Sequence, residues 1–297
     1  MIFFNVVLPV LLTFLVGFIV QKKFRLDLKT VSTVGLYVFL PALVFKTIYQ
    51  AQWNINYFYI GIYLLLLVHA LIVLNLIINK LLKYKGEESS ALLLSSAFMN
   101  NGNFGLPIAL LALGQKAFEY SLVIMIIHTI LMSTTGIFIA ARGKASFKAA
   151  VNKVLRNPII HSVYLPILWK YFNIPFPDSM VTMVDLLAQG ALPLIMITLS
   201  MQLAEIKIQK FEAIKIPLAL ILRLVISPLI VWLVLYFINL EPLLEKVMIL
   251  QAAMPTAAII TLYALEYDVL PDFVSSVTFL STIISMASVS VILLLIM

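Results

Sequence analysis

Uninterrupted runs of apolar side chains, many of them about 20 residues long, recur along this whole chain, and they leave few solutions for its fold. A helix rises about 1.5 Å per residue, so such a run covers the roughly 30 Å of a bilayer's hydrocarbon. Lipid offers no partner to backbone N–H and C=O groups, so only helices and closed barrels cross it. A barrel strand would alternate apolar and polar positions, and these runs do not alternate. Composition agrees: 63% of residues are hydrophobic and 11% charged, where a soluble domain carries about 25% charged. The expectation is an all-α integral membrane protein. The chain has no cysteine, which removes disulfides, thiolate chemistry and Cys-based metal sites. The net charge of +7 is not read as nucleic-acid affinity, because in a membrane protein the location of basic residues says more than their sum.

Ten spans are expected: Phe3–Val20, Val31–Ile48, Tyr57–Ile78, Ala91–Leu113, Phe118–Ala141, Pro158–Phe172, Val181–Leu203, Ile214–Ile238, Val247–Leu265 and Phe273–Met297. The first is read as a retained helix, not a signal peptide, because its positive charges (Lys22, Lys23 and Arg25) follow the apolar run and do not precede it. With the N-terminus outside, the segments around Lys22–Lys29, Lys80–Lys85, Arg142–Arg156 and Lys207–Lys215 lie inside. They hold 15 of the 20 basic residues, whereas Lys46, Lys116, Lys170 and Lys246 lie outside and Arg223 lies within a span. That bias follows the positive-inside rule. It places both termini outside a multi-pass protein of the cell membrane, with Trp53, Trp169 and Trp232 toward the outer face.

The basic segment Arg142–Asn157 divides the chain into residues 1–141 and 158–297, five spans each. An odd number per half makes the halves inverted repeats. Phe39-Leu40-Pro41-Ala42-Leu43 in the second span matches Ala191-Leu192-Pro193-Leu194-Ile195 in the seventh, and Pro107 in the fourth matches Pro255 in the ninth. Interrupted helices at matching places in inverted repeats point to a mid-bilayer binding site.

The fourth span contains Met-Asn-Asn-Gly-Asn-Phe-Gly-Leu-Pro at 99–107. Proline lacks an N–H and clashes with the preceding turn, and glycine eases non-helical backbone. A helix broken near Asn100–Gly105 is expected, its ends exposing backbone groups that favour an anion at a half-helix N-terminus. A merely kinked helix, its Asn side chains bonded to neighbours, is the plain alternative. The candidate substrate-binding residues are Asn100, Asn101, Gly102, Asn103, Gln251, Met254, Thr256 and Arg223, with Gly105, Pro107 and Pro255 at the crossover of the two broken helices.

Arg223 is the deep charge, and no acid lies at a similar depth; the deepest, Asp185, is near a span end. Its counter-charge is expected to be a helix C-terminus, a carbonyl cluster or an anionic substrate, or else Arg223 ties two helices together. His69, His128 and His161 are isolated, so neither a metal site nor a cofactor is expected. No paired acids or nucleophile–base set lies in the spans, so no enzyme is expected.

These residues resemble the auxin efflux carrier family, which includes plant auxin carriers and bacterial permeases for malate or malonate. The resemblance covers essentially the whole chain. It rests on NNGNFGLP at 100–107, AAMPTAAIITLYALEYDVLPD at 252–272, RNPII at 156–160 and ALPLIMITLSMQL at 191–203. It implies two inverted five-helix repeats with broken, crossing helices 4 and 9. Helices 1, 2, 6 and 7 would form a scaffold, usually dimeric, and helices 3–5 and 8–10 a mobile transport domain. It also implies that Asn100 contacts a substrate carboxylate. The 16-residue segment 142–157 replaces the long hydrophilic loop of the plant carriers, so a bacterial permease is the better match. The functional expectation is an elevator-type secondary transporter for a small organic anion, with a proton or sodium ion as candidate coupling ion; the competing reading is an anion channel or non-transporting sensor on the same fold.

Overall fold

The computed structural model describes residues 3–142, 147–206 and 212–297; Lys144, Lys207 and Lys210, counted above on the basic side, lie outside them. Thirteen helical segments build the described chain. They are α1 (3–24), α2 (Leu28–Gln50), α3 (Ile55–Leu82), α4 (Glu87–Ala97), α5 (Asn101–Leu113), α6 (Gln115–Ala140), α7 (Phe147–Leu155), α8 (Pro158–Tyr171), α9 (Asp178–Glu205), α10 (Lys215–Tyr236), α11 (Pro242–Ala252), α12 (Ile259–Glu266) and α13 (Pro271–Ile296). Among the described residues six of these, α2, α3, α6, α9, α10 and α13, are long and apolar enough to cross a membrane.

Proline leaves a regular imprint. Of five wide, π-type turns, Phe3–Val7, Gly35–Phe39, Asn101–Gly105 and Leu222–Ile226 end two residues before Pro9, Pro41, Pro107 or Pro228, and Met132–Gly136 has no such proline. Proline cannot donate to the carbonyl one turn back, and a widened turn re-routes the bonds that this disturbs. Pro166 and Pro193 lie inside α8 and α9 with no such turn.

Two groups of helices pack side by side. In one, α1 lies along α9, and α2 packs on both α8 and α9. Backbones approach closely there: a Cβ on Gly17 would sit 2.1 Å from Ser200 Oγ and 2.7 Å from the Ile197 carbonyl, and one on Gly190 would sit 2.5 Å from the Phe39 ring. Small residues at such points are how helices pack tightly when lipid supplies no hydrophobic drive between them. In the other group α3 packs on α4 and α6, α5 on α6, and α13 on α4, α10, α11 and α12.

Apart from Arg223, midway along α10, the charged pairs lie toward helix ends. Glu87 and Glu88 open α4 and pair with Arg142 and Lys215, both at 2.8 Å, and Lys153 of α7 meets Glu266 at the end of α12 at 3.3 Å. Asp185 pairs with Lys46 at 2.9 Å. All are partly exposed pairs of modest worth. The segment between the two halves, 142–157, is not all loop: it contains α7, FKAAVNKVL.

Candidate functional site

The two interrupted helices meet at their interruptions. The first stops at Ala97 and resumes at Asn101; the second stops at Ala252 and resumes at Ile259. Phe98 leaves the helix in an extended conformation, and Met99 pairs with Thr256 as an antiparallel bridge. The Asn100 nitrogen donates to the Pro255 carbonyl at 2.7 Å, and the Ala257 nitrogen to the Phe98 carbonyl at 3.1 Å. Backbone groups stripped of helical partners are expensive to leave unpaired in a buried site, and here each break answers the other. Pro255 fits because its position is used only as an acceptor. The break begins at Phe98, earlier than the expected Asn100–Gly105; the glycines and asparagines there form the widened first turn of α5.

A polar network is built on this crossing. Asn100 is 5% exposed. Its Oδ1 accepts from the Asn103 nitrogen at 3.2 Å, capping α5, and its Nδ2 has no hydrogen-bond partner. The Asn101 Nδ2 donates to the Gln251 carbonyl at 3.2 Å and to Gln251 Oε1 at 2.8 Å, while its Oδ1 is unpartnered. Gln251 Nε2 donates in turn to the Gly105 carbonyl at 3.2 Å. A Cβ at 105 would lie 2.3 Å from Gln251 Oε1, so any side chain there has to displace that amide. Gly102 and Asn103 are half-buried, and Met254 and Pro107 are buried; Gly102 rests against Met125. Thr256 is locked at both ends: its nitrogen donates to Ser281 Oγ at 3.1 Å and its hydroxyl to the Ser95 carbonyl at 2.6 Å.

Arg223 is fully buried, in the widened turn of α10. Its Nη1 donates to the Ser96 carbonyl at 2.9 Å, and its Nη2 to the Ala252 carbonyl at 2.6 Å and to Ser227 Oγ. Ser227 also donates to the Ala252 carbonyl, at 2.9 Å. Of the counter-charges foreseen for this arginine, the structure contains helix C-termini: the end of α4 and the end of α11.

A family model described as membrane transport protein matches residues 2–293. The chain belongs to this family, the auxin efflux carrier family. An uncharacterized transporter of Methanothermobacter thermautotrophicus is 26% identical over 293 residues, covering 95% of this chain and 94% of that one. A candidate malonate transporter of Rhizobium meliloti is 24% identical over 204 residues, 66% of this chain and 63% of its own. Auxin efflux carrier component 1 of Arabidopsis thaliana is 27% identical over 139 residues, 45% of this chain and 22% of its own. Membership makes the chain a multi-pass membrane transport protein and not an enzyme.

In this family member further polar residues lie around the crossing. Ser281 holds Thr256 from α13, where Thr278, Ser281, Thr282 and Ser285 are all fully buried; their three- and four-residue spacing was the available signal. His128 is buried beside the Phe98 ring, 5.8 Å between centroids, with both ring nitrogens unpartnered. His69 is exposed and bonds its own helix at Leu65.

Proposed function

We propose that the protein is a secondary transporter that carries a small organic anion, a carboxylate, across the cell membrane, and that the crossing of the two broken helices is where the anion binds. One observation carries this reading: the Asn100 Nδ2, a buried donor at the start of α5, has no partner. A buried N–H₂ without a partner costs free energy, and a carboxylate oxygen is the acceptor that would satisfy it. Two further features support an anion. The half-helix N-termini at α5 and α12 carry partial positive charge, and no Asp or Glu lies among the crossing residues 98–105 and 251–258. The remaining candidates, Asn101, Gly102, Asn103, Gln251, Met254 and Thr256, frame the same spot.

The mechanism we assign is alternating access of the elevator type. The chain is read as ten spans in two inverted five-helix repeats, with α1, α2, α8 and α9 as scaffold, dimeric through that scaffold, and the rest as the moving body. In support, the glycine-mediated contacts join α1 and α2 to α9, while the crossing bonds all fall within the second group of helices. Both termini are placed outside the cell. A proton is the preferred candidate for a coupling ion, with sodium the alternative.

The relative described as a candidate malonate transporter selects the first compound to try. Purified protein in proteoliposomes should accumulate labelled malonate or a related dicarboxylate, with saturable kinetics and counterflow. Conductive current without saturation would instead support the channel reading, and binding without flux the sensor.

A further inference from the structure

The ends of α4 and α11 are negative poles, since the last carbonyls of a helix lack intrahelical partners and carry partial negative charge. In transporters built on broken helices, such ends and unwound carbonyls are where a small cation is held. Here both ends converge on one guanidinium. Arg223 bridges the Ser96 carbonyl and the Ala252 carbonyl with separate nitrogens, Ser227 braces the second carbonyl, and the Thr256 hydroxyl takes the neighbouring Ser95 carbonyl. Among the described residues no acid bonds Arg223: its Nη atoms donate to two carbonyls and a hydroxyl, and its Nε has no partner.

We propose that Arg223 is a built-in counter-cation: a positioning residue that neutralises the carbonyl ends of both broken helices, so that the crossing shows an anion a net positive face without recruiting a mobile cation. With the negative poles occupied by a fixed charge, the positive pole at the start of α5, beside Asn100, has no acidic side chain of the crossing segments to oppose it. The planar fork of arginine suits two carbonyls on different chain segments, which the point charge of a lysine cannot bridge in the same way. Arginine thus acts on the anion through the crossing, not by touching it. The anion half of this statement rests on the transport reading above; the counter-cation half does not.

The test uses the whole purified protein and asks for chemical rescue. Arg223→Ala should melt at lower temperature than the parent and lose malonate affinity by more than about tenfold. Millimolar methylguanidinium should restore most of the melting temperature and of the affinity, and the neutral isostere methylurea should restore neither. Parent protein should bind malonate equally in sodium, potassium and choline chlorides at one ionic strength. Equal rescue by methylurea and methylguanidinium, or a sodium requirement in the parent, overturns the proposal. If Arg223→Ala is not recovered folded, Arg223→Lys and Arg223→Met are compared for yield and melting. The charged variant should survive better, and equal behaviour of the two overturns the proposal. Rescue of melting with no malonate or other carboxylate bound by the parent would keep the counter-cation and discard the anion.

Discussion

The amide nitrogen of Asn100 donates to the carbonyl oxygen of Pro255 at 2.7 Å, and the Asn100 side chain is thereby held with Oδ1 on the Asn103 nitrogen and Nδ2 facing no protein acceptor. Backbone and cap together leave the side chain one free function, donation.

Replacing that donor is the sharpest test of the site. A hydrogen bond to a charged partner is worth about 1.5–3 kcal/mol, and each 1.4 kcal/mol is tenfold in affinity. Asn100→Ala should therefore weaken carboxylate binding by about 10- to 100-fold in calorimetry on purified protein. Melting without ligand should change less, because the lost cap is worth about 1 kcal/mol. Asn103→Ala, whose backbone and not its side chain is used at the cap, should have the smaller effect. Parent-like affinity in Asn100→Ala assigns the ligand to a different residue of the crossing.

Gly105→Ala should destabilise the buried crossing. Its Cβ would meet Gln251 Oε1 at 2.3 Å, so Gln251 must leave both Asn101 and the Gly105 carbonyl. Overpacking of this kind costs about 1–3 kcal/mol, read as a drop in melting temperature. Combined with Gln251→Ala, the second substitution should cost much less than the two separately; strict additivity in that double-mutant cycle would count against the contact.

Gly17→Ala should separate stability from binding. The added methyl meets Ser200 Oγ at 2.1 Å and the Ile197 carbonyl at 2.7 Å, which pushes α1 off α9. Folded yield and melting temperature should fall, while the Kd of the surviving protein for its anion stays within about threefold. A large change in Kd would mean that the two helix groups are coupled in the resting protein.

Asp27, outside the spans, caps α2 by accepting from the Lys29 and Thr30 nitrogens at 3.3 and 3.1 Å. The Thr30 hydroxyl is the main cause holding its carboxyl below the usual 3.8. A depressed folded pKa gives stability that is complete above the unfolded value and is lost as pH falls through the folded one. Amide exchange at Lys29 and Thr30 should thus accelerate, relative to other amides, only below about pH 4. Asp27→Asn, an equally good cap, should abolish that acid-side acceleration; its persistence in the variant would assign it to another group.

Sidedness is accessible because the protein has no cysteine. Single cysteines at Asn152 in α7 and at Asn173 after α8 should label from opposite sides of sealed vesicles, inner and outer respectively. Labelling from one side for both would break the alternation on which ten spans rest.

What the sequence made legible follows from the range of the forces involved. Apolar runs and the density of Asn, Gly and Pro at 99–107 act locally, so both the membrane class and the existence of a broken helix could be read. The place of the break could not. Phe98 and Met99 look like ordinary helix residues, and they leave the helix because the backbone of Pro255 and Ala257, far away in sequence, offers better partners. Arg223 was legible as a charge needing a counterpart. Which counterpart depends on the ends of α4 and α11 arriving at the same point, a tertiary fact. The hydroxyls of α13 were visible but unassigned, since lone serines and threonines in a span usually bond their own preceding turn, as Thr278 and Thr282 do here.

The pairing of Met99 with Thr256 is made by main-chain atoms, and this has an engineering consequence. Side chains at 98, 99, 254 and 255 contribute shape and not the joint itself, provided that position 255 need only accept. A combinatorial library over Met99 and Met254, both buried and unbranched, would vary the surroundings of the crossing while its main-chain pin stays in place. New cargo specificities should then be reachable without re-solving the folding problem, and the first round of selection could be run on uptake alone.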